Sequence, residues 1–508
     1  MKRGLAPFVS LYSRLRTSIP STPRWLWRAG VTNGFLLSML LLSGCKIGPN
    51  YKRPTVRVPG KYAAKQANTA ANLAEWWTFF DDPYLNKLID KAITNNYDLK
   101  IACEKIQEAR AYFRIQEANL YPEIDAIGTI TRTGYSRQLA SSSPTSGQTL
   151  SYYQVGFDAT WELDFWGKLR RAKTAAYNMY EAQIESMRDI YIILLSDVAK
   201  AYIDTRALQK KIDLIDQQIA LDTDLLSLTH DRFYSGVDSK IPDVDQQAAL
   251  DESKNQRLSL LIEFKQTVNG LAILLGQNPE EFIFEQDTAH PSRRFAPQGE
   301  RLVRNTKKYR VPVSKKTLEI GLPSDLLRRR PDIRQAERLL ASSTESVGQA
   351  IAQWFPSFSL LGSVTPESNK FSTLFGHGST TWSFGPSVTW PIITFGRIKF
   401  NIAEKKSIQK QALLTYTKSV LYALKDVENW LISYFDTQKQ VHILKDKLYA
   451  GKEKSALVKS LFKSGLDNQL DFLLAEKNRI TIELELTDTQ QAHSTALISV
   501  YKSLGGGW

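Results

Sequence analysis

Hydrophobic positions in this chain follow a long heptad period over its middle. Downstream of Gly167, apolar residues recur at steps of three and four, in a seam made of Ile184, Met187, Tyr191, Leu194, Val198, Ala201, Thr205, Leu208, Ile212, Ile215 and Ile219. This spacing is typical of a helix in a left-handed supercoil. Because no proline occurs between Pro144 and Pro242, the pattern predicts one helix over about 168–234, roughly 100 Å long at 1.5 Å per residue.

Two other stretches alternate between apolar and polar positions, as a strand with two different faces does. They cover 152–162 and 382–390, and weaker partner strands are expected upstream, at 124–132 and 358–365. The alternation fits a soluble antiparallel sheet, and it also fits strands that separate lipid from a watery lumen. In the second case the positions expected to face lipid are Tyr153, Val155, Phe157, Trp161, Trp382, Phe384, Val388 and Trp390.

The chain also repeats itself. ANLYPEIDAIGT, which starts at 118, is echoed by AQWFPSFSLLGS from 352; GFDATWELDFWGKL, from 156, by GPSVTWPIITFGRI from 385; and RFYSGVDS, from 232, by LFKSGLDN from 461. Three matches in one order and at nearly one spacing indicate internal duplication. A second long helix is therefore expected over about 398–463, with a further helix after each turn, near 243–275 and 470–503.

Four strands are too few for a membrane barrel made by one chain, since such barrels begin at about eight strands. An open sheet edge in hydrocarbon leaves N–H and C=O groups unpaired, at several kcal/mol each. Lipid-facing strands would thus form a barrel shared between copies, and three copies would supply about twelve strands. A lone long helix would leave its seam exposed, so the helices would form an α-helical tube. The expected fold class is an α+β membrane protein.

The N-terminal region has the features of an export signal. Its first 44 residues hold six Lys and Arg and no Asp or Glu, out of a formal net charge of +14. An apolar run from Phe35 to Leu42 is too short to span a bilayer but has the length of a signal h-region. Leu42-Ser43-Gly44-Cys45 fits the bacterial lipobox, which predicts cleavage after residue 44 and lipidation of Cys45. The following Lys46, which is not an aspartate, points to the outer membrane.

The remaining composition favours no catalytic chemistry. The two cysteines, Cys45 and Cys103, lie 58 positions apart with no His or Cys near either, and the five histidines form no HxxxH pair. The sequence therefore predicts no disulfide framework, metal site or cofactor. No paired carboxylates, nucleophile triad or phosphate loop emerge, so an enzyme is not expected. The run Arg328-Arg329-Arg330 heads a predicted helix and is interpreted as structural, with no nucleic-acid partner.

Six segments make the chain resemble the outer-membrane efflux proteins, the family of TolC, OprM and NodT, and in particular its lipoprotein branch. They are CKIGPNYKRP (45–54), EWWTFFDDPYLNKLI (75–89), LPSDLLRRRPDIRQAER (322–338), WFPSFSLLG (354–362), WPIITFGRI (390–398) and the terminal YKSLGGGW. The resemblance implies a homotrimer with a twelve-stranded barrel and a periplasmic α-barrel. It implies passive export, driven by an inner-membrane pump through a periplasmic adaptor.

The resemblance also implies a gate at the periplasmic tip, where an acidic residue follows the turn of the second helical hairpin. The matching positions are Leu470 and Asp471, and the first repeat offers Asp243 and Asp245. Three copies of Asp471 around an axis would repel one another and favour cations. The alternative interpretation of Asp471 is a carboxylate that stabilises a helix start through the helix dipole.

The sequence divides into a signal peptide (1–44), a lipid-anchored segment with the first repeat (45–280), a basic linker or equatorial region (281–321) and the second repeat (322–508). From 287 to 320 the linker holds nine Lys and Arg against three Asp and Glu, which suits a solvated loop or contact with an anionic surface. The leading functional hypothesis is the exit duct of a tripartite efflux pump. The alternative is a lipid-anchored periplasmic helical scaffold or adaptor without a channel.

Overall fold

The computed structural model describes residues 46–60, 74–138, 146–284, 309–314 and 329–508. The signal peptide, Cys45 and most of the basic linker lie outside the described residues. The elements are, in chain order, α1 (Pro83–Asn95), α2 (Tyr97–Ala118), β1 (Glu123–Gly134), β2 (Thr149–Leu163), α3 (Lys168–Tyr234), α4 (Ile241–Leu274), α5 (Pro331–Ala352), β3 (Ser357–Ser368), β4 (Thr380–Thr389), α6 (Arg397–Lys463) and α7 (Gln469–Ser503). Short 3₁₀ helices cover Trp76–Phe80 and Phe371–Thr373.

The predicted long helices are confirmed, and the two halves of the chain have matching elements. α3 and α6 are each 67 residues long, and they begin after Gly167 and Gly396, two glycines that the sequence repeat aligns. α2 and α5 are each 22 residues long, and β1 and β3 are each 12. The predicted strands lie within the observed ones except at one end: β4 ends at Thr389, so Trp390, predicted as a strand residue, follows the strand. Pro391 comes next and has no N–H to continue a ladder, which accounts for the early end.

The four strands form one antiparallel sheet in the order β1-β2-β3-β4. β1 with β2 and β3 with β4 are hairpins, and the β2–β3 pairing joins the halves, with Asp158 opposite Ser363. β1 and β4 are thus the edges of the sheet. Extensive contacts of the strands are with other strands, and the helices pack on helices.

α3 is the central helix, packed against α2, α4, α5 and α7, while α6 packs on α5 and α7. The predicted seam faces these neighbours: Val198, Thr205, Leu208 and Ile215 have no solvent exposure. Burying a large apolar side chain such as Leu208 contributes about 1.5–3 kcal/mol, so the apolar residues of the seam stabilise the bundle. None of the helices in the described part has an apolar stretch long enough to cross a bilayer.

Two chain segments without regular structure are held against this bundle. Residues 46–58 run beside α5, where Tyr51 and Arg53 bond the carboxylate of Glu337. Residues 309–314, within the linker, bury Tyr309 and Val311, and the Pro312 carbonyl accepts a hydrogen bond from Ser494 Oγ at 2.7 Å. This part of the predicted solvated linker is therefore packed.

Candidate functional site

The sheet has an apolar face that is open to the surroundings. Phe157, Trp382, Phe384 and Val388 are between 58 and 74% exposed, while Tyr153, Val155 and Trp161 of the same face are half-buried. The register adds apolar neighbours from the other strands, since Val364 lies opposite both Phe157 and Trp382. A soluble two-sided sheet would cover this face with its core. Here the apolar face is exposed, as in a strand that meets lipid.

The opposite face is polar and acidic. Asp125 lies opposite Asp158, and Asp158 lies opposite Ser363. Further along the same face, the carboxylate of Glu367 accepts from the Tyr152 hydroxyl and, at 2.5 Å, from Thr381 Oγ1. This face can therefore stay in contact with water.

A tryptophan lies at the end of each β-hairpin that is next to the helices. Trp161 Nε1 donates to the Leu120 carbonyl at 2.9 Å, and Trp390 Nε1 donates to the Trp354 carbonyl at 3.1 Å. An indole combines a large apolar ring with one polar atom, and such rings are enriched where a membrane meets water. The end of the sheet next to the helices thus has the chemistry of a membrane boundary.

The helical hairpins end, far from the sheet, in turns of one design. A glycine with φ of 72° follows each long helix, Gly236 after α3 and Gly465 after α6. Their N–H groups return to the Phe233 and Phe462 carbonyls at 3.0 Å, which caps the helix ends. These two turns form the tips on which the candidate gate residues lie.

The structure places Asp471 at the start of α7, where its carboxylate takes part in a helix cap. Asn468 Oδ1 accepts from the Asp471 N–H at 2.7 Å, and Asn468 Nδ2 donates to Asp471 Oδ2 at 2.9 Å. The side chain of Asp471 remains exposed, and that of Leu470 is half-buried. Both the capping interpretation and the lumen-facing interpretation are compatible with this position.

The first tip brings together different groups. Asp243 turns back towards α3, where His230 Nδ1 lies 3.4 Å from its Oδ1, while Asp245 is exposed. In the turn itself, Arg232 Nε donates to Asp238 Oδ2 at 2.6 Å, and this bond lowers the pKa of Asp238. Asp245 is therefore the more accessible of the two predicted gate carboxylates on this tip.

Sequence reasoning missed a buried carboxylate above the tips. Asp222 of α3 has no solvent exposure and accepts from Ser253 Oγ of α4 at 2.6 Å, from Gln246 Nε2 of α4 at 3.2 Å and from Lys477 Nζ of α7 at 2.6 Å. It ties the two helical hairpins together. The signal was present, because Asp222 continues the heptad steps after Ile219, where a charged residue has to be paired.

A series of polar contacts continues along α3 and α7. Lys210 Nζ lies 2.9 Å from Glu483 Oε1, Lys211 Nζ lies 2.6 Å from Asp488 Oδ1, and Gln491 Nε2 donates to Asp204 Oδ1 at 2.8 Å. Together with Asp222–Lys477 they connect residues 204–222 of α3 with residues 477–491 of α7. Separating the hairpins would break them in turn.

Residues 46–50, which follow Cys45, are held beside the sheet by Arg171 and Glu345, and we call this binding site the seat of the segment. Arg171, fully buried, donates to the Gly48 and Pro49 carbonyls at 2.9 and 3.0 Å and to Glu345 Oε2 at 2.9 Å. Lys46 Nζ also lies 2.8 Å from Glu345 Oε2, and the Ile47 N–H donates to the carbonyl of Trp166, just after β2. The chain therefore leaves residue 46 near the boundary between sheet and helices.

No group of His, Cys, Asp and Glu that could hold a metal ion occurs among the described residues. Cys103 lies on α2 as a free, half-buried thiol, and burial raises its pKa. A thiol with a raised pKa is a poor nucleophile.

The chain is similar in sequence and structure to known proteins of the outer membrane. The sequence profile of the family described as outer membrane efflux protein matches residues 88–277 and 322–506. The solvent efflux pump outer membrane protein SrpC of Pseudomonas putida is 29% identical over 483 residues, 93% of this chain and 97% of SrpC. The cation efflux system protein CusC of Escherichia coli is 28% identical over 477 residues, 92% of this chain and 97% of CusC. A solved structure of the outer-membrane channel OprN, 27% identical, covers 91% of this chain and 100% of its own with a TM-score of 0.78. The chain belongs to the outer membrane efflux protein family.

Proposed function

We propose that this protein is the outer-membrane channel of a tripartite efflux system, a passive exit duct through which an inner-membrane pump drives small molecules. The observation that carries the proposal is the sheet, whose apolar face is exposed and whose two edges, β1 and β4, are open. In hydrocarbon such a sheet is stable only when its edges are paired. No bond is made or broken by such a duct, so no catalytic residue is required.

The shared barrel would be made by a homotrimer. Three copies of the four-stranded sheet supply twelve strands, enough to leave an open lumen lined by the polar face. Internal duplication explains why each copy brings two similar hairpins. The matching element lengths of the two halves support this origin.

The helices point to the same assembly. Ile203 and Leu214 of α3 have no solvent exposure, whereas Ile432 and Ile443, which occupy the same positions along α6, are 52 and 64% exposed. An exposed apolar stripe on a long helix needs a neighbour. In a closed ring of copies the stripe on α6 would be covered by helices of the next copy, giving an α-helical tube below the barrel.

The helical tips would hold the gate. Asp471, with Leu470 beside it, would face the axis in three copies, where the like charges repel and favour cations over anions. Asp245 and Asp243 would contribute from the first tip. Closure would then depend on contacts such as Asp222–Lys477 that hold the hairpins together against this repulsion.

Anchoring and partners complete the proposal. After cleavage behind residue 44, the lipidated Cys45 would hold the mature N-terminus at the inner leaflet of the outer membrane. The position of residues 46–50 near the sheet supports this anchoring. The tips would meet a periplasmic adaptor and, through it, the pump. SrpC is named for the efflux of solvents and CusC for the efflux of cations, so the exported molecules differ between relatives of this chain.

Purification in mild detergent followed by mass measurement and conductance in planar bilayers tests the proposal. A trimer that conducts is expected. A stable monomer without conductance would contradict it and favour the alternative, a lipid-anchored periplasmic scaffold without a channel.

A further inference from the structure

A groove opens between the two long helices, α3 and α6, where α5 begins and α7 ends. It holds two cavities of about 270 and 410 Å³, and Trp430 of α6 lines both of them. Lys200 of α3 lines the first cavity, and Asp204 of α3 lines the second. Ligand pockets in proteins begin at roughly 300 Å³, so the groove has room for a small molecule.

The groove and the 3₁₀ helix Trp76–Phe80 lie on different sides of α7. Tyr501 of α7 stacks on Trp76 with ring centroids 5.7 Å apart, whereas Thr495 and Lys502 of α7 line the groove. A segment packed inside a duct would obstruct it, so the 3₁₀ helix belongs to the outer side of the proposed tube. The groove therefore lies on the side that faces the duct.

Two charged groups of the groove lack full compensation. Lys200 and Asp204 are one turn apart on α3, but they form no ion pair with each other. Lys200 Nζ lies instead over the ring of Trp430, 5.5 Å from its centroid, and Asp204 Oδ1 accepts from Gln491 Nε2 at 2.8 Å. Burial, and next the charge of Lys502, lower the pKa of Lys200, while burial raises the pKa of Asp204. Both shifts disfavour the charged form, so each group gains from a ligand of opposite charge.

Most other charged side chains of the groove have partners on the protein. Ion pairs join Arg330 to Asp332, Lys502 to Asp197, Asp426 to Lys425 and Asp488 to Lys211. Asp189 lies near the first of these pairs. Lys200 and Asp204 thus offer one cation and one anion to a ligand, beside an indole that lines both cavities.

We propose that this groove binds aromatic zwitterions, molecules in which a ring separates a carboxylate from an amine, as they pass through the duct. In the bound state the carboxylate accepts from Lys200, the ring packs on Trp430, and the amine donates to Asp204. This inference rests on the proposed function and deepens it, because it names a class of exported molecule and the place where that class contacts the wall.

Each part of such a molecule has a physical reason to bind. Hydrogen bonds between charged groups are stronger than neutral ones, and paired aromatic rings gain more than their buried area alone provides. A simple anion would be repelled by Asp204 and a simple cation by Lys200, so only the zwitterion satisfies both. Trp430 keeps 36% of its surface exposed, so the contact is open to water and reversible, as passage through a duct requires.

Three probes with one ring and different charges test the inference. Para-(aminomethyl)benzoate carries both charges, para-methylbenzoate carries only the carboxylate, and para-methylbenzylamine carries only the amine. We expect the zwitterion to bind the detergent-purified trimer about ten-fold more tightly than either other probe, because it makes one more contact between charged groups. Titrations followed by ligand-observed NMR measure the three dissociation constants. Equal affinities would overturn the inference.

Variants assign each charged contact. Lys200→Met should abolish the advantage of the zwitterion over para-methylbenzylamine, and Asp204→Asn should abolish its advantage over para-methylbenzoate. Trp430→Leu should weaken all three probes, while Lys254→Met, in an exposed pair on α4, should change none. A purely structural groove would not give this charge-specific pattern. The same loss for every probe in both Lys200→Met and Asp204→Asn would contradict the assignment.

Protection of a cysteine locates the bound probe. In a Cys103→Ser background, Thr495→Cys lies in the groove and Thr481→Cys lies on an exposed part of α7. Saturating para-(aminomethyl)benzoate should slow alkylation of Thr495→Cys by N-ethylmaleimide roughly five-fold, because the reaction requires access to the thiol. Alkylation of Thr481→Cys should keep its rate. An unchanged rate at Thr495→Cys would exclude the groove as the binding site.

The outcomes separate this inference from the proposed function. A conducting trimer that binds none of the three probes would overturn the inference and leave the duct in place. A monomer without conductance that still binds para-(aminomethyl)benzoate would overturn the duct and leave the groove as a binding site.

Discussion

Lys477 Nζ of α7 lies 2.6 Å from Oδ1 of Asp222 in α3, a carboxylate with no solvent exposure. Ser253 and Gln246 of α4 also donate to Asp222, so three helices from two hairpins meet at one charge. Such a buried carboxylate is costly unless it is paired and hydrogen-bonded. The pair therefore couples the position of the second hairpin to the first.

Lys477→Met should loosen this connection. The variant keeps the length of the side chain but leaves Asp222 without its cation, a change that costs roughly 3–5 kcal/mol for a fully buried pair and less here because Lys477 is 27% exposed. We expect the tips to separate more easily and single-channel conductance in planar bilayers to rise at least two-fold.

Lys254→Met is the matched control for this prediction. Lys254 pairs with Asp251 on the outside of α4, with both side chains more than half exposed. Exposed pairs contribute little, so conductance should stay at the wild-type value. Equal conductance of Lys477→Met and the wild type would exclude Asp222–Lys477 as a restraint on the tips.

The capping and gating roles of Asp471 can be separated by mutation. Asp471→Ala removes the carboxylate, and we expect cation over anion permeability to fall, as measured by reversal potentials in a salt gradient. Asn468→Ala removes the cap that accepts the Asp471 N–H, at a cost of about 1 kcal/mol, but keeps the carboxylate. Selectivity should therefore survive in Asn468→Ala. The same selectivity in all three proteins would assign Asp471 to the helix cap alone.

Much of the fold could be predicted because its periods are long and regular. The heptad steps between Ile184 and Ile219 give α3, and the repeat carries the prediction to α6. Strand ends were harder to predict, as Trp390 shows, because a proline outside the pattern decided where β4 stops. Local patterns of this kind predict the helices and strands and their order along the chain.

The contacts at the candidate site were less predictable, because they join residues far apart in sequence. Lys477 and Asp222 lie in different halves of the chain, and only the packing of α7 on α3 brings them together. Similarly, Arg171 and Glu345 give no local signal that they hold residues 46–50. A single sequence indicates which side chains need partners and leaves the partners themselves to the three-dimensional packing.

Stability should depend on pH through Asp189 of α3. Burial, and next the charge of Asp332, raise the pKa of Asp189 from 3.8 to about 6. Because the folded pKa is the higher one, the stabilising contribution of the protonated group is complete below about pH 4 and is lost as the pH rises through 6. Asp189→Asn has no carboxyl group to ionise and so does not show this loss. The free energy of unfolding of the variant should therefore rise relative to that of the wild type by roughly 2–3 kcal/mol between pH 4 and pH 7.

Thermal unfolding in detergent at a series of pH values measures this difference. Asp446→Asn is the control, since Asp446 is 73% exposed on α6. Its unfolding midpoints should run parallel to those of the wild type. An Asp189→Asn curve that is also parallel would show that Asp189 ionises without cost in the folded protein.

Cys45→Ser should affect processing more than transport. The shared barrel would supply insertion, whereas the lipid would only assist placement, so we expect an unprocessed N-terminus, lower yield in the outer membrane and an unchanged conductance per trimer. Mass analysis of the N-terminal peptide and bilayer recordings measure the two effects. Cys103→Ser, on α2, should leave both unchanged. A correctly assembled Cys45→Ser trimer without activity would contradict this division of roles.

Gly48→Ala should release the N-terminal segment from its seat. Gly48 has φ of 94°, and a Cβ there would lie 2.7 Å from Gly348 Cα of α5, so neither the backbone nor the neighbouring helix can accommodate alanine. We expect residues 46–60 to become at least ten-fold more sensitive to limited proteolysis while the helices stay protected. Gly60→Ala, where an added Cβ meets nothing within 4 Å, is the matched control. Because Arg171 holds the segment through the Gly48 and Pro49 carbonyls, Arg171→Met should release it too and give the same cleavage pattern. Protection equal to the wild type in both variants would show that these contacts do not hold the segment.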